Sequence, residues 1–206
     1  MKTMLNLPNR ITIGRLGLAV LFFVSVSQYS QLSPQPWMLD VAAAIFIVAA
    51  ATDIVDGYIA RKRGLVTPLG RVLDPLVDKM LVCGAFILFV GPGFVDANGH
   101  NVTEFKGWMV VVIVGRELLV TGLRGFNESV GKELGASIHG KLKMWIQSVA
   151  APTVLFIVAH ENHLFSYEAA KGAKVVLVWL TVAVTALSAI HYLVQSRHIL
   201  EESAPS

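Results

Sequence analysis

Charge is scarce in this sequence. Only 15% of the 206 residues are Asp, Glu, Lys or Arg, against about 25% in an ordinary soluble domain. With 54% hydrophobic residues, too few charges remain to coat a globule. That shortage excludes a soluble domain, a disordered chain and a nucleic-acid-binding surface, so no nucleic-acid partner is expected. Cysteine is almost absent. The lone Cys83 excludes an intramolecular disulfide and a cysteine-based zinc site, and its apolar surroundings mark it as a packing residue. Acids are fewer than bases, 14 against 17, and the pI near 9.1 is explained by where the bases stand.

What is abundant is long apolar sequence. A helix crossing a bilayer needs about 20 mostly apolar residues. Six such segments are predicted at Ile11–Ser27, Met38–Ala60, Leu73–Val90, Gly107–Phe126, Leu142–Ala159 and Ala173–Val194. Helix breakers separate them: Pro34 and Pro36, Gly64 and Pro68, Gly91-Pro92-Gly93, and Gly131 with Gly135. The expected architecture is an all-α integral membrane bundle of six transmembrane helices. It forms one domain over 1–206 with a polar tail at 197–206, in which Glu201–Ser206 is expected to fray. A short interfacial helix over Leu5–Ile13 is expected ahead of the first span. Lys2 and Arg10 before an apolar run outline a signal peptide, but Asn6, Pro8 and Asn9 interrupt that pattern.

Six spans put both termini on one side. Lys106, Lys171 and Lys174 fall on the other, and every remaining Lys and Arg falls with the termini. The positive-inside rule makes the terminal side cytoplasmic, where such bases also grip anionic lipid. Trp37 and Trp108 stand at far-side helix ends and Trp145 near a cytoplasmic one, as interfacial belt residues do. His160, His163 and Asp96 fall in far-side loops, and His139 reads as a surface residue.

Four carboxylates break the apolar pattern. Asp53 and Asp56 close the second segment at i, i+3, and Asp74 and Asp78 open the third at i, i+4. Each pair shares a helix face, and the short link makes the two helices antiparallel neighbours. Four charges gathered at one depth repel strongly, so they are either protonated or balanced by cations. Two divalent ions would balance them, and all-carboxylate ligation suits Mg²⁺ or Mn²⁺. Simpler roles exist for some of these residues. Asp74 before Pro75 fits a helix N-cap, and Asp78 beside Lys79 fits an interfacial ion pair. Asp53 and Asp56 sit among apolar residues, where acids default to function. Gly57 and Gly70 leave room for a substrate to approach backbone, or pack helices. Arg61 is one turn past Gly57, within reach of a phosphate. Thr67 offers a hydroxyl or is a plain loop residue.

The run Asp53-x2-Asp56-Gly57-x2-Ala60-Arg61-x8-Gly70-x3-Asp74-x3-Asp78 resembles the signature of the CDP-alcohol phosphotransferase family, with every motif position filled. Further stretches resemble its bacterial phosphatidylglycerophosphate synthase branch: Asn6-Leu7-Pro8-Asn9-Arg10-Ile11-Thr12 with Arg15, Gly115-Arg116-Glu117-Leu118 through Leu123-Arg124, and Gly140-Lys141-Leu142-Lys143. The resemblance implies transfer of the phosphatidyl group of CDP-diacylglycerol to the 1-hydroxyl of sn-glycerol 3-phosphate, releasing CMP, in anionic phospholipid synthesis. It implies that Asp53, Asp56, Asp74 and Asp78 hold two Mg²⁺ or Mn²⁺ ions, with Asp78 as the base. It implies that Gly57, Ala60, Arg61, Thr67 and Gly70 bind CDP-diacylglycerol. It also implies a homodimer among membrane lipids in the bacterial inner membrane, with the site facing the cytoplasm.

An anionic acceptor needs bases near those acids. Arg116 and Arg124 lie on the fourth segment. Consecutive helical residues point about 100° apart, so Glu117 is not expected to serve Arg116. A phosphate or an inter-helix acid then remains as its partner. Arg124 fits phosphate binding or snorkelling to head groups. Lys141 and Lys143 stand at a helix N-terminus, where bases are unfavourable unless an anion is bound. Two alternatives remain. One is a sister phosphatidyltransferase with another acceptor (inositol phosphate, serine or phosphatidylglycerol). The other is a cation-coupled transporter, although its path should carry polar groups across the whole membrane depth, and here the acids gather at one end.

Overall fold

The computed structural model describes the backbone of residues 7–63, 68–129, 138–161, 164 and 166–203, and side chains within 11–53, 75–127, 140–161, 164 and 166–196. The described backbone forms six α-helices: α1 (Leu7–Ser27), α2 (Pro36–Arg63), α3 (Pro68–Phe89), α4 (Gly107–Ser129), α5 (Ile138–His160) and α6 (Tyr167–Ser203). Each expected segment lies within or almost wholly within one of them, and the described residues contain no strand. The molecule is an all-α membrane protein.

By length and composition alone, three described stretches suffice to cross a membrane: Pro36–Asp53, Gly140–His160 and Tyr167–Ser196. Ile11–Ser27 forms a shorter apolar helix. In α3 and α4 the apolar run is interrupted by Arg71, Asp74, Asp78 and Lys79, and by Arg116, Glu117 and Arg124. Two boundaries differ from expectation. No separate interfacial helix precedes the first span among the described residues, because Leu7–Ile13 is the opening of α1. The expected frayed tail is helical as far as Ser203, since nothing in Gln195–Ser203 breaks a helix.

Helix α1 packs on α2 and α3, α2 on α5, and α6 on both α5 and α4. Phe22 and Phe46 meet edge to face at 5.5 Å between α1 and α2. The Phe23 ring of α1 lies against Gly84 of α3, so a side chain at that position would require the ring to shift. Helices α4 and α6 run in parallel register: Trp108 lies against Trp179 with ring centres 5.9 Å apart, and Arg116 and Arg124 reach Ser188 and Tyr192.

The far end of the bundle is closed by the α3–α4 link. Phe94 and Phe105 pack on Phe89 and Phe86. Asn101 Nδ2 and Thr103 Oγ1 donate to the Phe89 carbonyl at 2.8 and 3.0 Å, satisfying a carbonyl that α3 leaves without an intrahelical partner. Gln31 N donates to Gly93 O at 2.8 Å, tying this link to the one between α1 and α2. Asp96 lies in that link, as expected, and accepts from the backbone of Asn98 and His100. Trp37, Trp108 and Trp145 are exposed, as belt residues are, while His160 ends α5 rather than entering a loop and its Nδ1 lies 3.1 Å from Phe156 O.

Candidate active site

Asp53 stands nearly three turns before the described end of α2, and Asp78 stands on α3. Both line one cavity of about 880 Å³. Its remaining wall comes from α2 and α5 and is mainly apolar, with Ile47, Val149 and Phe156 among its residues. Asp56 is three residues beyond Asp53 on α2, and Asp74 is four residues before Asp78 on α3. The side chains of Asp56, Gly57, Ala60, Arg61, Gly70 and Asp74, and the whole of Thr67, lie outside the described residues.

Asp53 is ion-paired with Arg15 of α1, whose side chain is buried. The sequence reading placed Arg15 only among the orienting bases and the family-like amino end. A signal was present, because Arg15 shares a helical face with Ala19, Phe22 and Val26 at intervals of four, three and four, and all of these are buried. Its cationic head is thus carried into the bundle against Asp53.

Asp78 also lines a second cavity of about 450 Å³, formed by α3, α4, α5 and α6. Five cationic side chains line it, Lys79, Arg116, Arg124, Lys141 and Lys143, against two carboxylates, Asp78 and Glu117. All three residues expected to bind an acceptor phosphate, Arg116, Arg124 and Lys141, are therefore brought together. Lys143 joins them, buried where Lys141 is exposed.

One sequence expectation is overturned. Arg116 does bond its neighbour: Nη1 donates to Glu117 Oε1 at 2.8 Å. Two long side chains leaving adjacent positions can curl to a common point, which the angle between Cα–Cβ bonds alone does not reveal. Glu117 also pairs with Lys143 of α5, so one carboxylate is shared by two buried cations. Arg116 Nη2 donates to Ser188 Oγ on α6 at 2.7 Å, and its guanidinium lies over the Tyr192 ring, 5.5 Å from the centre. Arg124 Nη2 donates to Tyr192 Oη at 3.3 Å. Lys79 does not pair with adjacent Asp78; its Nζ donates to Thr121 Oγ1 of α4 at 2.5 Å.

Ser188 and Tyr192 were missed, although the buried polar stripe Thr181, Thr185, Ser188, Tyr192 on α6, at intervals of four, three and four, marks a face turned into the bundle. Cys83 is a half-buried free thiol, outside both cavity walls.

No cluster of three or more His, Cys, Asp or Glu side chains occurs among the described residues. The two described aspartates nevertheless fit a hard divalent cation. Both line one cavity, and among the described residues Asp53 is ion-paired with Arg15, which leaves carboxylate oxygens of the type a hard cation takes.

The sequence model of the CDP-alcohol phosphatidyltransferase family matches residues 5–187, and that family is generally dependent on a divalent metal. A CDP-diacylglycerol–glycerol-3-phosphate 3-phosphatidyltransferase of Bacillus subtilis is 36% identical over 212 aligned positions, covering 97% of this chain and all of that protein. One of the same description from Rickettsia bellii is 38% identical, covering 70% of this chain and 72% of its own. A CMP-forming cardiolipin synthase of Oryza sativa is 28% identical over 92% of this chain and 57% of its own.

Proposed function

The chain belongs to the CDP-alcohol phosphatidyltransferase family, and on that premise we propose that it transfers the phosphatidyl group of CDP-diacylglycerol to sn-glycerol 3-phosphate at the cytoplasmic face of a bacterial inner membrane. One observation carries the reading: an apolar groove and a pocket with an excess of cations share the wall residue Asp78. A lipid-linked donor needs the first surface, a small phosphorylated acceptor needs the second, and they must meet where phosphorus changes partners. The bacterial relatives named for this reaction support the same acceptor.

The groove between α2 and α5 takes the acyl chains. Gly57, Ala60, Arg61, Thr67 and Gly70 take the CDP end, and Arg116, Arg124 and Lys141 hold the acceptor's phosphate. Asp53, Asp56, Asp74 and Asp78 hold two Mg²⁺ or Mn²⁺ ions. When bound, such ions offset the charge of the diphosphate and of the CMP leaving group. The acceptor hydroxyl forms a new O–P bond, the P–O bond to CMP breaks, and Asp78 takes the hydroxyl proton. Positioning two charged reactants against one carboxylate is the chain's own main contribution. The unit is one domain over 1–206, acting as a homodimer.

The test is purified protein with CDP-diacylglycerol and a panel of acceptors. CMP release is expected with glycerol 3-phosphate, lost on chelation, and restored by Mg²⁺ or Mn²⁺. Release with phosphatidylglycerol instead moves the reading to a sister enzyme. Full activity in thoroughly chelated buffer overturns the metal assignment.

A further inference from the structure

Tyr192 touches both arginines of the cationic pocket. Its ring faces the Arg116 guanidinium, and its hydroxyl oxygen accepts from Arg124 Nη2 at 3.3 Å. The two arginines stand eight residues apart on α4, about 12 Å along a helix axis, so a single side chain from a neighbouring helix bridges two heads that α4 alone would leave apart. Tyr192 is 1% exposed and Arg116 8%, so neither side chain has room to wander. Ser188, one turn earlier on α6, accepts from Arg116 Nη2. Despite these contacts, the buried Nε of Arg116 has no hydrogen-bond partner in the structure. Both arginines and Tyr192 line the same cavity.

We propose that Tyr192 is a positioning residue that sets the spacing and orientation of Arg116 and Arg124 for the phosphate of the acceptor. The proposal rests on the acceptor reading above. Tyr192 itself moves no proton in the reaction. The ring holds Arg116 by a cation–π contact, and the hydroxyl fixes Arg124, whose exposed side chain otherwise samples many rotamers. A planar guanidinium gains most from a phosphate when both of its donors already point at the oxygens. Loss of the hydroxyl should therefore weaken acceptor binding while leaving the donor groove, on the other side of Asp78, unaltered.

The experiment measures KM and kcat for both substrates in the unsubstituted protein, in Tyr192→Phe and in Tyr192→Leu. Phe keeps the ring, and loss of one hydrogen bond to a charged group should raise the glycerol 3-phosphate KM about tenfold or more. The CDP-diacylglycerol KM and the melting temperature in detergent should stay near the unsubstituted values. Tyr192→Leu also loses the ring and should raise the acceptor KM further. In a double-mutant cycle, Tyr192→Phe should add little on top of Arg124→Gln, because the hydroxyl acts through Arg124. An unmoved acceptor KM in Tyr192→Phe, an equal rise in both KM values, or full additivity with Arg124→Gln overturns the positioning role. Absence of CMP release by the unsubstituted protein with glycerol 3-phosphate overturns the parent reading, and this one with it.

Discussion

Replacing Glu117 by Gln tests the electrostatic frame of the cationic pocket. The Glu117 side chain is 8% exposed, and the Arg116 and Lys143 side chains paired with it are each 7% exposed. Removing the negative charge leaves two buried cations facing each other across one amide. Breaking a buried ion pair from one side typically costs about 3–5 kcal/mol. Here Ser188 and Tyr192 still satisfy part of Arg116, the amide oxygen still accepts one donor, and the cavity admits water. The lower end of the range applies, about 3 kcal/mol, which at roughly 2–4 °C per kcal/mol for a chain of this size lowers the melting temperature by about 6–12 °C. The assay is thermal unfolding in detergent, with a cycle through Lys143→Met. That substitution removes one stranded cation, so the double variant should recover roughly 1–3 kcal/mol relative to the sum of the single ones. Saturating glycerol 3-phosphate should raise the melting temperature of Glu117→Gln more than that of the unsubstituted protein, because the pocket then holds more uncompensated positive charge. A Glu117→Gln protein that melts within about 1 °C of the original, or a strictly additive cycle, refutes the reasoning.

Asp78→Asn keeps the shape of both cavities and removes the proton acceptor between them, so CMP release should fall at least about a hundredfold, as for loss of a general base. Retained binding of labelled CDP-diacylglycerol should accompany that loss, and near-normal turnover would remove Asp78 from the chemistry. Ser148→Trp, on the α5 wall of the apolar groove, should raise the CDP-diacylglycerol KM by about tenfold, equivalent to about 1.4 kcal/mol. The acceptor KM should not move, and a rise confined to the acceptor would reverse the assignment of the two cavities. Tyr29 lies outside the helices, where burial first and the Glu161 carboxylate second push its phenol from 10.0 up to about 12. The folded protein therefore holds this proton more tightly than the unfolded chain. Its contribution to stability is full below pH 10 and is lost as pH climbs towards 12. Melting temperatures followed across that window should fall less steeply in Tyr29→Phe, and parallel curves would contradict the sign.

The helices were legible because apolar length is a one-dimensional property, and every expected segment falls within or almost within an observed helix. The aspartates were legible because an unsolvated charge is conspicuous in an apolar run, and the two with described side chains do line one cavity. Pairings were not legible. Arg15 reads as one more orienting base until α1 is packed on α2, which brings it to Asp53. Glu117 was dismissed as a partner of Arg116 from helical angles alone, yet long side chains close that angle. Lys143 was tied to Glu117 only by the docking of α5 near α4, a relation that no local spacing encodes.

The α6 stripe bears on the transporter alternative, because Thr181, Thr185 and Ser188 place hydroxyls through the depth of a helix free of charges from Val175 to Ser196. A cation path needs oxygens free to replace hydration. These hydroxyls are instead buried in helix contacts. Thr181 Oγ1 donates to Leu177 O at 2.8 Å, Thr185 Oγ1 accepts from Gln147 Nε2 at 3.0 Å, and Ser188 Oγ accepts from Arg116. All three are fully buried, and neither cavity wall includes them. Hydroxyls of this kind join helices in a membrane bundle. What they join is informative: the last of them holds an arginine whose positive charge would repel a passing cation. The polarity of α6 thus steadies the arginine of the cationic pocket, where the proposed reading puts the acceptor's phosphate, and a cation pathway has no use for such a contact.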